Sequence, residues 1–458
     1  MDLSKRIFGS NGTGLEVNGG MITMEQEEVN HVVVSILSEY GECPALGILL
    51  CYWNNIIGPH AHYVWQIEGK PSFSDEQLKY LSTHTLTSSD NPGNSINSKL
   101  LFLKDHQMVV AVFLFSGYQN AQRVTFALSL VVPFHLKEWY MAVHSFCQLR
   151  LTGLVRRLRV LQEKYKNEKD SPAIHAFSSK VPDFLRSLTR LANCGIPKKI
   201  ELDDTVFASG QDKHLDVQFM RKAIAGHLQS CGCSIVLGNN VAEVNMVLNT
   251  LALFLSPSER QCSLLLTEGC SHFPFKYEKD VMLQGFLKES FHTDDNILEI
   301  MASRYPTTLV DLSTLEVKRM HHFNEHEYMK HEVITKELQK LWLESMEPIP
   351  ILRFVKDIEP ETLVQNLQKE GGVREAFLSH FARLLDRKAL ALIKFVEDET
   401  HRGKDPTKIS LRKVRNDLDL HPEGNCRIVL AAAEKLQPGI YSLVCGSLAA
   451  RSREANDV

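Results

Sequence analysis

The longest uninterrupted apolar run of the 458-residue chain is the eight-residue stretch from Met108 to Phe115. A membrane-spanning helix needs roughly 20 apolar residues, so this run is far too short to cross a bilayer. Its length fits a strand that is buried on both faces, because such a strand loses the alternation of polar and apolar residues. We therefore expect Met108–Phe115 to be a central strand of a sheet, and we expect no transmembrane segment.

The residues around this run predict a first α/β unit. Two strand-like segments meet at Gly58-Pro59, and Ser74 with Gln77 forms the pattern of a capped helix start. Strand-like segments at 99–104, 107–115 and 123–132 follow, and Pro133 leads into a long helix with apolar residues at three- and four-residue steps. The order β-β-α-β-β-β-α predicts a five-stranded sheet packed against helices.

Two further units follow in the chain. The pattern predicts a helix at 217–229, a buried strand at 233–238, a helix at 241–254 and a strand at 263–267. This alternation is typical of a mainly parallel α/β sheet. From Val373 onward the apolar residues have helical spacing, so the last unit is expected to be helical.

At roughly 100 to 200 residues per domain, the length predicts two to four domains. The expected organisation is a flexible N-terminal extension at 1–43, a first α/β unit at 44–165, a linker at 166–196, a second α/β unit at 197–320, a helical and loop connection at 321–372, a helical unit at 373–446 and a C-terminal tail at 447–458.

The charged residues, the N-terminal sequence and the cysteines indicate which partners, cellular location and disulfides to expect. Lys and Arg number 51 against 55 Asp and Glu, and no basic arm stands out, so we expect no nucleic-acid partner. No apolar segment follows Lys5 and Arg6, so we expect no secretory signal and a cytoplasmic location. The ten cysteines lie mostly in apolar stretches, and no disulfide is assigned.

No motif nominates a catalytic residue. The phosphate-binding pattern GxxxxGK[ST] is absent from the sequence. The stretch Gly232–Val236 has valine where the nucleophile elbow of a serine hydrolase needs its second glycine. The sequence therefore favours a protein that acts through binding surfaces.

Two segments contain clusters of residue types that can bind metals. In the segment HHFNEHEYMKH, His326-Glu327 is followed by His331 at a spacing of five, which does not match the spacing of four in zinc proteases. The segment also contains His321 and His322. His322 and His326 are four residues apart, but no third ligand is suggested locally, and a solvated helix is the better interpretation. Cys231 and Cys233 are interpreted as buried thiols on one face of a strand. We expect no metal and no cofactor.

The long helix before residue 165 has a basic face around Arg156, Arg157 and Arg159. Such a face can contact acidic lipid or an acidic partner protein. Glu163, Glu168 and Asp170 are interspersed with it and weaken its field. A solvated helix face is therefore the favoured interpretation.

Several phrases of the sequence resemble a known family. The segment YWNNIIGPHAHYVW, from Tyr52 to Trp65, is similar to the opening of the longin module of DENN-type proteins. More specific phrases are HLQSCGCSIVLG, LFLSPSERQCS, RYPTTLVDL, RKALALIKFVEDETHRG and LDLHPEGN. Over about residues 45–160, 197–317 and 373–446, the chain resembles the longin–DENN regulators of small GTPases, in the branch linked to motor neuron disease and frontotemporal dementia.

The resemblance implies an N-terminal longin α/β sandwich at 44–165. It also implies a DENN module with an α/β part at 197–320 and an all-helical part at 373–446. The implied function is regulation of Rab- or Arf-type small GTPases, as a guanine nucleotide exchange factor or within a heteromeric longin–DENN complex. The alternative is a non-catalytic scaffold in a GTPase-activating complex whose arginine finger comes from the partner chain.

The resemblance also implies partners and a location. The partners are a folliculin-related longin–DENN protein and, through the complex, a WD-repeat protein. The complex is associated with autophagy, lysosomes and endosomes, and membrane contact is expected only through it. Tyr52, Trp53, Ile57, Gly58 and Pro59 match the family opening and are candidate contact positions for a partner or GTPase, although a strand aromatic is most often part of a core.

Overall fold

The structure is a computed structural model of the chain. It describes residues 32–37, 42–87, 93, 95–119, 121–167, 172–207, 217–267, 276–291, 293–301, 303–320, 343–345, 367, 369, 372–401, 411–421 and 423–445. The histidine-rich segment at 321–331 lies outside these residues, as do Glu168 and Asp170.

The first sheet has six strands and is flanked by a helix on each face. The strands are β1 (Val33–Leu37), β2 (Gly47–Asn54), β3 (Gly58–Ile67), β4 (Asn97–Leu103), β5 (Met108–Gln119) and β6 (Gln122–Pro133). Helix α1 (Asp75–Leu86) follows β3, and helix α2 (Lys137–Lys164) follows β6 after a 3₁₀ turn at Phe134–Leu136. This confirms the predicted order from β2 to α2.

The strand order is β1-β3-β2-β6-β5-β4, and all neighbours are antiparallel except β1 and β3. Strand β5 has a neighbour on each side, which confirms that Met108–Phe115 is central. Alternate residues of β2 face opposite layers: Leu50 packs with the core below α2, and Leu49 packs with the core below α1. The capping box of Ser74 and Gln77 also forms as predicted at the start of α1.

Strand β1 lies within 1–43, where the sequence predicts a flexible extension, and it corrects that expectation for residues 33–37. Its residues pair in parallel with β3, from Val33 opposite Tyr63 to Leu37 opposite Ile67. The apolar residues at 32–37 were visible in the sequence, but their partner strand lies some thirty residues further along the chain. Local patterns carry little information about such a parallel pairing.

The second sheet is mixed: two of its four strand pairings are parallel, as predicted, and two are antiparallel. Its strands are β7 (Ser234–Gly238), β8 (Leu283–Leu287), β9 (Thr308–Asp311), β10 (Glu316–Met320) and β11 (Leu343–Ser345), in the order β11-β10-β9-β7-β8. Strands β8 and β9 run parallel to β7, whereas β10 and β11 are antiparallel additions. The helices around this sheet are α5 (Val217–Gln229), α6 (Val241–Ala252), α7 (Pro257–Gln261) and α8 (Thr293–Met301), and a 3₁₀ turn at Lys288–Ser290 follows β8.

Two details of the second unit differ from the prediction. The expected strand at 263–267 is reduced to a bridge at Leu264, which pairs with Gly195 on one side and Gln284 on the other. The expected helical and loop connection at 321–372 contains β11, which pairs with β10. Both pairings join residues that are distant in sequence, so the local pattern does not specify them.

The expected linker at 166–196 contains two helices, α3 (Pro172–Ser178) and α4 (Val181–Asn193), and this corrects that prediction. Their buried residues include Phe177, Leu185 and Leu188. These side chains belong to one apolar core that also includes Phe113 of the first sheet and Val236 of the second. The charged residues that suggested a linker precede these helices, and the helical spacing begins only after them.

A half-buried ionic cluster around Glu278 holds α2 and α4 against the second unit. Arg150 of α2 donates to Glu278 Oε2 at 3.2 Å, and Arg190 of α4 donates to Oε1 at 3.2 Å. Ser187 adds a hydroxyl hydrogen bond at 2.5 Å. The side chain of Gln284 bonds both the N–H and the C=O of Glu278 at 2.8 Å, so the backbone beneath the carboxylate is also held.

The C-terminal unit is helical, as predicted. Its helices are α9 (Gly372–His401), α10 (Leu411–Asp417), α11 (Glu423–Leu436) and α12 (Ile440–Cys445). The buried carboxylate of Glu434 accepts hydrogen bonds from the N–H groups of Gly439 and Tyr441, which orients α12. Lys435 of α11 pairs with Glu259 of α7 and ties this unit to the second one.

The α/β architecture with a helical C-terminal part is thus present, and the domain boundaries themselves stay a prediction. Of the helices in the described ranges, none has both the length and the apolar composition needed to cross a membrane.

We predict that acid weakens the fold through His227. Its pKa is lowered to about 3, mainly because the side chain is buried and secondarily because of the charge on Lys435. An unfolded histidine titrates near 6.5, so the unfolded chain binds the extra proton as the pH falls below that value. The contribution of His227 to the free energy of unfolding should fall by about 2 kcal/mol between pH 8 and pH 5.

Urea unfolding of the wild type and of His227→Gln at both pH values measures this contribution. The loss of stability on acidification should be smaller in the variant by that amount. The matched control is His175→Gln, because His175 is exposed on α3. An equal loss in His227→Gln and the wild type would contradict the prediction.

Candidate partner-binding surface

The turn between β2 and β3 carries the residues that match the family opening. The last paired residues are Trp53 opposite Pro59 and Asn54 opposite Gly58. The side-chain oxygen of Asn54 accepts hydrogen bonds from the N–H groups of Ile56 at 2.8 Å and Ile57 at 3.3 Å. Gly58 has a φ of +83°, a conformation that side chains disfavour. The hairpin tip, defined as residues 53–58, is therefore held in a defined shape.

The five signature positions divide between core and surface. Tyr52 is buried and packs against Phe126, with ring centroids 5.9 Å apart, so it belongs to the core. Trp53 is 40% exposed and Ile57 is 56% exposed, which places both on the surface. Gly58 and Pro59 form the turn and the start of β3.

Ile56 was not singled out from the sequence, yet it is 78% exposed and is the most exposed of the large apolar residues described. It lies beside Ile57 at the apex of the turn, where polar residues usually occur. A pair of adjacent isoleucines in a turn is the signal that could have identified it. Together with Trp53, these residues form a small apolar surface that protrudes from the end of the sheet.

The hairpin carries no charged side chains other than its histidines. No Asp, Glu, Lys or Arg occurs between Cys43 and Ile67. The pKa of His62 is lowered to about 4, mainly by burial and secondarily by the neighbouring His60. His62 is therefore neutral at physiological pH. An exposed apolar surface without charge is the kind that contacts another macromolecule or a lipid.

The buried Ser–His and cysteine groups offer no catalytic site. His227 Nδ1 lies 3.0 Å from Ser234 Oγ, but both residues are fully buried, so a substrate cannot reach them. Cys231 and Cys233 are buried, as expected, and burial raises the pKa of both thiols. They lie in the turn before β7, which corrects the prediction that they share a strand face. A thiolate nucleophile needs the opposite shift.

Within the described ranges, no three or more His, Cys, Asp or Glu side chains are arranged to hold a metal ion. The histidines considered as ligands, His321, His322, His326 and His331, lie outside those ranges.

Comparison with known proteins identifies relatives along most of the chain. Residues 78–326 match the model of the C9orf72-like protein family. The chain is 32% identical to the mouse protein named "Guanine nucleotide exchange factor C9orf72 homolog" and to the human protein named "Guanine nucleotide exchange factor C9orf72". In both cases the match covers 91% of this chain and 95% of the relative. The chain therefore belongs to the C9orf72-like protein family.

Proposed function

We propose that the chain is a guanine nucleotide exchange factor for a small GTPase of the Rab or Arf type. The observation that carries the proposal is the 32% identity, over 91% of the chain, to relatives that are named guanine nucleotide exchange factors. The match covers nearly the full length of those relatives, so it spans both sheets and the helical unit.

Exchange requires a shaped surface and no covalent chemistry. A factor of this kind binds the nucleotide-poor conformation of the GTPase more tightly than the loaded one, and so shifts its population toward nucleotide release. The switch segments that hold phosphate and magnesium are the elements displaced. We place the GTPase on the surface formed jointly by the first unit and the second unit. The Glu278 cluster supports this placement because it fixes their relative position.

We further propose that the chain works in a complex with a folliculin-related longin–DENN protein and a WD-repeat protein, at lysosomes, endosomes and autophagosomes. The edge strand β4 supports a partner of this type. Among the described residues, β4 pairs only with β5, so its other side can accept a strand. This edge includes the exposed Phe102.

The first test is nucleotide release by the purified full chain. A panel of Rab and Arf GTPases loaded with fluorescent GDP is mixed with the chain, and release is followed in excess unlabelled nucleotide. At least one GTPase should release GDP faster, by about tenfold or more, because a gain of 1.4 kcal/mol in differential binding is tenfold.

A different pattern of results would support the scaffold alternative. Unchanged release from every GTPase, with faster GTP hydrolysis only when a partner chain is present, would replace exchange by a scaffold role in an activating complex. No effect in either assay would contradict both exchange and a role in an activating complex.

A second prediction concerns the junction. Glu278→Gln removes the negative charge that Arg150 and Arg190 share, which should lower the free energy of unfolding by about 2 kcal/mol. If the GTPase binds across both units, exchange should slow by about tenfold at a temperature where the variant remains folded. The matched control is Glu201→Gln, in an exposed pair with Lys199. Normal exchange in a destabilised Glu278→Gln would show that the joint surface is not used.

A further inference from the structure

A basic cluster lies on the C-terminal half of α2, in the residues just after it and at the start of β6. Its members are Arg123, Arg156, Arg157, Arg159, Lys164 and Lys166. Between Leu151 and Asn167 the only acid is Glu163, and it pairs with Lys166 at 2.7 Å. Arg157 and Lys164 are exposed and seven residues apart, so they lie on the same side of the helix.

This cluster and the hairpin tip lie at the same end of the first unit. The C-terminal turn of α2 covers the end of β5: a Cβ on Gly117 would collide with Gln162 Oε1, and Lys166 Nζ is 5.5 Å from the centroid of the Tyr118 ring. Strands β2 and β5 both pair with β6, with Tyr52 and Phe115 both opposite Phe126. Since neighbouring strands are about 4.8 Å apart, β2 lies about 10 Å from β5 at this level.

We propose that this end of the protein docks directly on an anionic lipid bilayer. Trp53, Ile56 and Ile57 enter the boundary between headgroups and acyl chains, and the basic side chains contact lipid phosphates. Tryptophan is favoured at this boundary, because its ring is apolar and its N–H can still be hydrated. An apolar insertion combined with a basic patch is the pair of signals that gives stable peripheral binding.

The shape of the surface favours lipid over a protein partner. A specific protein interface buries about 800 Å² on each side and centres on side chains in well-packed pockets. The hairpin tip instead offers three apolar side chains on a narrow turn that protrudes from the sheet. A bilayer accommodates such a wedge without a matching pocket. The hairpin tip carries no formal charge that would have to be desolvated, and the neighbouring charge is mainly positive and complements anionic headgroups.

Vesicle co-sedimentation of the full chain tests the proposal, with phosphatidylcholine vesicles that contain or lack phosphatidylserine. The wild type should bind the anionic vesicles at least about tenfold more tightly, and rising salt should weaken that binding. The double variant Trp53→Ser/Ile57→Ser should weaken binding to anionic vesicles about tenfold. The double variant Arg157→Glu/Lys164→Glu should weaken it by a similar factor. Brominated lipid should quench the fluorescence of the wild type, and Trp53→Phe should remove most of that quenching.

Matched controls are Leu390→Ser and Arg387→Glu, both at exposed positions of α9, and neither should change vesicle binding. Equal circular dichroism melting curves establish that the variants are folded.

Three results would overturn the proposal: no preference of the wild type for anionic vesicles, unchanged binding in both double variants, or loss of exchange by the Trp53 and Ile57 variant in vesicle-free solution. The last result would assign the surface to a protein. Exchange by the wild type in solution does not depend on lipid, so failure here leaves the proposed exchange function standing.

Discussion

The two sheets of this protein share one apolar core. The ionic cluster around Glu278 holds the two units together at this core, and the rest of the structure depends on that interaction. A carboxylate in a half-buried position is costly unless charged and polar donors surround it. Arg150, Arg190 and Ser187 supply those donors from α2 and α4. These bonds are directional, whereas apolar contact alone would allow the units to slide. The cluster thus determines the relative orientation of the two sheets.

The sequence predicts well those elements that are determined by neighbouring residues in the chain. The capping box of Ser74 and Gln77 and the central run of β5 each depend on residues close together in the chain. The elements that were predicted incorrectly depend instead on contacts between segments that are distant in the chain. Strands β1 and β11 exist because distant edges accept them, and the bridge at Leu264 joins three separate segments. Pairing between distant segments is decided by the assembled sheet, which a local pattern does not describe.

The candidate surface was only partly predictable for a related reason. Adjacent strand residues face opposite sides of a sheet, so Tyr52 and Trp53 had to differ in environment. The sequence does not say which of the two is covered. In the structure α2 covers Tyr52 together with Phe126, and α1 ends before it reaches Trp53. Trp53 is therefore exposed because α1 is too short, and lies in the wrong place, to cover it. The exposure of Ile56 depends on the Asn54 side chain, which shapes the turn.

Docking on lipid and exchange on a GTPase are compatible because they use different parts of α2. Arg150, at the junction of the two units, precedes Lys164 by 14 residues, which is about 21 Å along a helix. The junction would thus stand well clear of the headgroups while the hairpin tip is inserted. A GTPase held at the same bilayer would meet the joint surface at a raised effective concentration. The same geometry would limit the orientations in which the two proteins collide, so membrane attachment would accelerate encounter without changing the contacts that release nucleotide.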